Sequence, residues 1–170
     1  MDAYLAVASK RDWRKYSQEA VPEDVVARIV DAGRLAGSAG NRQPWRFVVI
    51  ERRALVEALA ETVYEPENVL GATLVVAVVV RGRQQAAFDG GRAVQNMFLA
   101  AWNEGVASCP NGLRDVDRAS ELLAVHEDER PLVVLSFGYR DPPLDVESRS
   151  AEEWSRRANR KPLAELVQRL

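Results

Sequence analysis

At 170 residues, 47% of them hydrophobic and 28% charged, the chain has the size of one domain, 1–170, and the composition of an ordinary folded protein. Its net charge of −2, from 23 basic and 25 acidic residues, argues against a nucleic acid or other polyanion as the main partner. The single cysteine, Cys109, excludes an intrachain disulfide and makes a reducing, cytoplasmic setting the default.

The start, MDAYLAVASKRDW, has no long apolar run behind a basic stretch, so it does not read as a secretion signal. Residues 2–9 suggest a short helix that stops before a basic cluster. Pro22, with Glu23 and Asp24 behind it, opens a second helix. Val25, Val26, Ile29 and Val30 keep helical spacing there to about Leu35. Gly37-Ser38-Ala39-Gly40-Asn41 breaks it with turn-forming residues. Trp45–Ile50 reads as a strand, 52–61 as a helix and Tyr64–Asn68 as a loop.

The longest apolar run lies in the segment Thr73–Val80, far below the ~20 residues a membrane helix needs. It reads as a buried strand, and no membrane partner is expected. Arg81–Phe88 reads as a polar connection and Asp89–Glu104 as a long helix stopped by Gly105. Val106–Ser108 follows as a short strand, Pro110-Asn111-Gly112 as a turn, 115–124 as a helix and Leu132–Phe137 as a strand. Beyond Pro142-Pro143 comes a charged tail that turns apolar at Leu163, Leu166 and Val167, as if it packs on another subunit. The alternation of helices with apolar strands implies α/β layering.

No G-x-G-x-x-G lies between a strand and a helix, and no Walker loop, CxxC pair or HExxH is present. No metal ligands are assigned. His126 sits among Glu127, Asp128 and Glu129 as a solvated residue, and Cys109 reads as core filler. Two segments stand out. Lys10-Arg11-Asp12-Trp13-Arg14-Lys15-Tyr16 and Arg156-Arg157-Ala158-Asn159-Arg160-Lys161 are distant cationic clusters in a slightly acidic chain. Together they suggest a local anion site, where a phosphate takes charge-assisted hydrogen bonds worth about 1.5–3 kcal/mol each. Gly37–Trp45 (GSAGNRQPW) is small and polar, so its backbone can come close to a flat ligand.

The order KRDWRKY, a Pro-initiated helix, then GSAGNRQPW running into a strand resembles the nitroreductase family. Gln95-Asn96-Met97, the Gly105–Ser108 turn and strand, and Arg160-Lys161-Pro162-Leu163 are similar to it as well. The resemblance runs from about residue 9 to 167. It implies an α+β, three-layer fold: a mixed central sheet flanked by helices, with a C-terminal tail extending onto the partner subunit. It also implies a homodimer with FMN at the interface, NADH or NADPH as reductant, and a small electron-poor acceptor such as a nitroaromatic or quinone.

On that resemblance Lys10, Arg11, Arg160 and Lys161 hold the FMN phosphate, Asp12 lies near the ribityl chain, and Arg14 faces the N1/O2 edge of the ring. Ser38, Ala39, Gly40, Asn41 and Gln43 reach the flavin of the other subunit. Backbone at Pro110, Asn111 and Gly112 lies near the hydride-accepting N5. No side chain is assigned as catalytic, because the flavin carries the chemistry. Lys10 stands where the family usually has arginine, Asp12 where it usually has serine, and Gly37 where it usually has proline. The connections at 62–71 and 81–88 are short for the family, which implies an open pocket. Dehalogenation, flavin fragmentation and flavin binding without turnover are the other functions such a chain could serve.

Overall fold

The computed structural model describes residues 1–82 and 84–170, the Gln84 side chain aside. In chain order the elements are α1 (Ala3–Ser9), α2 (Glu23–Arg34), β1 (Trp45–Val49), α3 (Arg53–Ala60), α4 (Pro66–Leu70) and β2 (Leu74–Arg81). They continue with α5 (Gln84–Asn103), β3 (Val106–Asn111), α6 (Val116–Leu122), β4 (Glu129–Tyr139), α7 (Ala151–Arg157) and α8 (Leu163–Leu166).

The strands form one sheet in the order β1-β2-β4-β3. Strand β2 explains the three layers. Its even-numbered residues Leu74, Val76, Val78 and Val80 pack with Ile29 of α2 and Met97 and Phe98 of α5. Its odd-numbered residues Val75, Ala77 and Val79 pack with Val56 and Leu59 of α3 and with Ala119 of α6. A central strand covered on both faces has no solvent side to keep polar, which is why its sequence is a continuous apolar run instead of an alternation.

The α+β class holds, with one difference. All three strand ladders are antiparallel, where a mixed sheet is expected. Trp45 lies opposite Val80 and Val49 opposite Val76, so α3 and α4 return the chain to the end of the sheet where β1 finished. The parallel pairing among the described residues is an isolated bridge between Asp12 and Ser108.

Local differences have local causes. The expected loop at Tyr64–Asn68 holds α4, started by Pro66 in its first turn and pinned by the fully buried Val69. Helix α5 begins at Gln84 instead of Asp89, because Ala86 already packs on the core; Arg83, in the expected connection, lies outside the described residues. Pro110 and Asn111 belong to β3 instead of a turn, since a proline costs no ladder bond on an edge strand. Strand β4 runs on both sides of the expected Leu132–Phe137. Helix α7, inside the expected charged tail, is started by a capping box in which Ser150 and Glu153 each cap the other's backbone N–H. No helix among the described residues is long and apolar enough to cross a membrane.

Candidate functional site

The site is built where the end of α1 runs onto the edge of the sheet. The α1 end is fixed from below by the buried Ser9, whose hydroxyl accepts a 2.9 Å hydrogen bond from the Trp102 indole. Residue 10 leaves the helix. The Trp13 N–H then donates to the Ser108 carbonyl at 3.0 Å, so the cationic segment runs along β3. Lys10 points inward: its ammonium lies 4.1 Å from the centre of the Phe98 ring and pairs with Asp12. That face attracts the cation through the ring quadrupole.

Arg11 uses its fork on the backbone. Its guanidinium donates to the carbonyls of Ala8 and Lys10, both at 2.8 Å, and to Trp154 of α7 at 2.9 Å. This ties the start of the chain to the region of the second basic cluster. Lys10, Arg11, Asp12, Gln95, Pro110 and Arg160 meet around one cavity of about 480 Å³. Burial, and then the neighbouring Arg160 charge, lower the Arg11 guanidinium from its ordinary value. Among the described residues neither arginine has a carboxylate partner. Two like charges facing one cavity raise the local positive potential there.

Other expected site residues fall elsewhere. Lys161 and Gly112 are exposed and do not line this cavity. The Asn111 side chain is buried, donating to the carbonyls of Cys109 and Val134 and to the Ser136 hydroxyl. Arg14 is exposed beside Cys109. Burial pushes the Cys109 thiol up and the Arg14 charge opposes this, which fits a packed thiol and not a nucleophile.

Ser38, Ala39, Gly40, Asn41 and Gln43 do not reach the Lys10 cavity within one chain. Their loop is held in a demanding shape: Gly40, Asn41 and Gln43 have φ of 57°, 54° and 49°. Two bonds impose it. The Gln43 N–H donates to the Ser38 hydroxyl at 2.9 Å, and the Ala39 N–H to the buried Asp89 carboxylate at 3.1 Å. Asp89→Ala is expected to lower stability by about 1–3 kcal/mol, the cost of orphaning a buried partner. Asp89→Asn keeps an acceptor and is expected to lose less. Thermal unfolding with hydrogen exchange at the Ala39 amide checks both.

Tyr4, Phe98, Ser155 and Ala158 also line the cavity, and sequence reasoning does not single them out. The signal for the last two is the S-x-x-E capping box at Ser150, which marks a helix leading into the basic cluster.

Comparison with known proteins identifies the family. The model of the nitroreductase family matches residues 7–85 and 72–139. The chain belongs to the nitroreductase family. Relatives agree along most of its length. A Methanothermobacter thermautotrophicus protein named as an NADH dehydrogenase/NAD(P)H nitroreductase is 28% identical over 150 residues, 82% of this chain and 78% of its own. A Desulfovibrio desulfuricans protein, described as a nitroreductase and solved in complex with FMN, is 28% identical with a TM-score of 0.79, covering 100% of this chain and 98% of that one. A Clostridium difficile nitroreductase family protein shares the fold with a TM-score of 0.81 at 24% identity, over 99% of this chain and 98% of its own. Relatives of this family are named as NAD(P)H oxidoreductases.

Proposed function

We propose that this chain binds FMN in the Lys10–Arg11–Arg160 cavity and, as a homodimer, transfers hydride from NADH or NADPH to a small electron-poor acceptor such as a nitroaromatic or quinone. The observation that carries this reading is the convergence of Arg11 and Arg160, without carboxylate partners among the described residues, on one cavity. The donor set suits a phosphate, and a cavity of about 480 Å³ is of cofactor size.

Bound flavin would supply the hydride exchange, in alternating reductive and oxidative half-reactions. The chain supplies grip, charge and orientation. Lys10, Arg11 and Arg160 would hold the phosphate, with Lys161 adding long-range positive charge. Asp12 steers Lys10 and would accept hydrogen bonds from the ribityl side. Arg14 would supply a cation to the polar edge of the ring, and the Pro110–Gly112 backbone would face the ring itself. Ser38, Ala39, Gly40, Asn41 and Gln43, remote from their own chain's cavity, would reach the cofactor of a partner subunit. Residues 159–170 are all exposed, although Leu163, Leu166, Val167 and Leu170 are apolar. A partner subunit would cover them. We place this single-domain chain in the reducing cytoplasm.

Purified protein is expected to take up FMN with a flavin absorbance band and to elute as a dimer. Anaerobic stopped-flow mixing with NADH, then NADPH, should bleach that band with at least one of them. A colourless protein that takes up no FMN overturns the reading; uptake without reduction by either nucleotide leaves a binding protein and overturns the enzyme.

A further inference from the structure

Tyr16 closes the basic KRDWRKY segment, yet its ring turns into the protein. It packs over Gly138 of β4, where an added Cβ would lie 2.7 Å from the Tyr16 Cβ. Its hydroxyl lies 2.6 Å from the Trp13 carbonyl and 3.0 Å from the Ser136 hydroxyl, which in turn is 3.1 Å from the Asn111 amide nitrogen. Proton counting orders these groups. A phenol has one proton to give, and the shortest contact, to Trp13, takes it. Tyr16 is then left to accept from Ser136, whose hydroxyl also lies 3.3 Å from the Cys109 carbonyl, while the Asn111 amide is shared among Ser136 and the Val134 and Cys109 carbonyls. The three side chains form one connected hydrogen-bonded network between the basic segment and β3. Burial pushes the Tyr16 phenol above its ordinary value, so it stays protonated.

This chain of groups spans two halves of the site. At one end is the segment carrying Lys10, Arg11 and Arg14. At the other is Asn111, between Pro110 at the cavity and Gly112. We propose that the Tyr16 hydroxyl is a positioning group that, through Ser136 and Asn111, sets the spacing between the phosphate-holding cations and the ring-facing backbone of β3. The proposal rests on the FMN reading. It predicts that breaking the chain spoils the seat of the ring and leaves the grip on phosphate intact.

The test uses Tyr16→Phe, which keeps the ring on Gly138, Ser136→Ala, and the double variant. Each is titrated with FMN, scanned for the absorbance band of bound flavin, and challenged with inorganic phosphate as competitor. Each single variant is expected to bind FMN about tenfold more weakly, the worth of one net hydrogen bond. The flavin band should shift, while phosphate competes with an unchanged inhibition constant. The double variant is expected to be no weaker than the worse single one, because both break the same chain. Wild-type affinity and an unshifted band in the variants overturn the proposal, as do strictly additive losses. If Tyr16→Phe loses its folded circular dichroism signal, Ser136→Ala decides by the same measurements. A wild-type chain that takes up no FMN sinks the FMN reading and this one together, and that failure shows in the control alone.

Discussion

Replacing Arg11 by alanine is expected to weaken FMN binding about a hundredfold, the equivalent of roughly 3 kcal/mol in charge-assisted hydrogen bonding. Arg11 contributes twice to the proposed site. It is one of two cations on the cavity without a carboxylate partner among the described residues, and its fork holds the Trp154 carbonyl of α7 at 2.9 Å. Alanine removes the charge and also releases the helix that leads to Arg160. Arg160→Ala removes the charge and one local bond to the Ala158 carbonyl from an exposed position, and a loss of about tenfold is expected there. Arg11→Lys keeps the charge but cannot reach three carbonyls at once, so it should fall between the two. Fluorescence titrations with FMN at low and high salt check the series. Wild-type affinity should drop as salt rises, and the Arg11→Ala affinity should respond less. An Arg11→Ala protein with wild-type affinity removes the anion site from consideration.

Phe137→Ala is expected to cost about 3–5 kcal/mol of stability, the range for emptying a buried aromatic site. For a chain of this size that lowers the melting temperature by roughly 6–20 °C. Phe137 is fully buried on β4, opposite Leu74 of β2 and Ser108 of β3, and so belongs to both ladders of β4. Its ring meets Phe98 edge-on, with centroids 5.9 Å apart. The other side of this contact matters for function, since the Phe98 face carries the Lys10 ammonium. The truncation should therefore also weaken FMN binding in the folded protein. Leu59→Ala empties an equally buried position in the opposite layer and is expected to lower stability by about 2–5 kcal/mol with FMN affinity unchanged. Thermal unfolding and FMN titration of both variants test the distinction. A melting shift below about 2 °C for Phe137→Ala contradicts the packing argument.

Much of this architecture is legible in the sequence because its signals are local. The apolar run of β2, the acidic start of α2 and the glycine after α5 each act within a few residues. The meeting of the two basic clusters is legible for a different reason. Clusters rich in cations are conspicuous wherever they lie along a chain, and Lys10, Arg11 and Arg160 do share one cavity. Other features depend on long-range packing. The first turn of α5 is helical because Ala86 meets the core, and β3 continues through Pro110 because β3 lies at the sheet edge. Neither fact is written near those residues. Nor is the inward turn of Tyr16, which depends on Gly138 more than a hundred residues later. The capping box at Ser150 was readable and marks α7, but in so charged a stretch the composition hides it.

The bond from Arg11 to the Trp154 carbonyl joins positions 143 residues apart. A ribosome making roughly 5–20 residues per second delivers the second of them at least several seconds after the first. Through that interval Lys10 and Arg11 are already synthesised, and all four strands emerge before α7 does. The body of the protein can therefore condense while the Lys10 cavity still lacks the wall that Ser155, Ala158 and Arg160 give it. On the FMN reading, cofactor capture would be a late event in the life of each molecule, and a nascent chain halted before α7 would leave a folded core with an unfinished cradle.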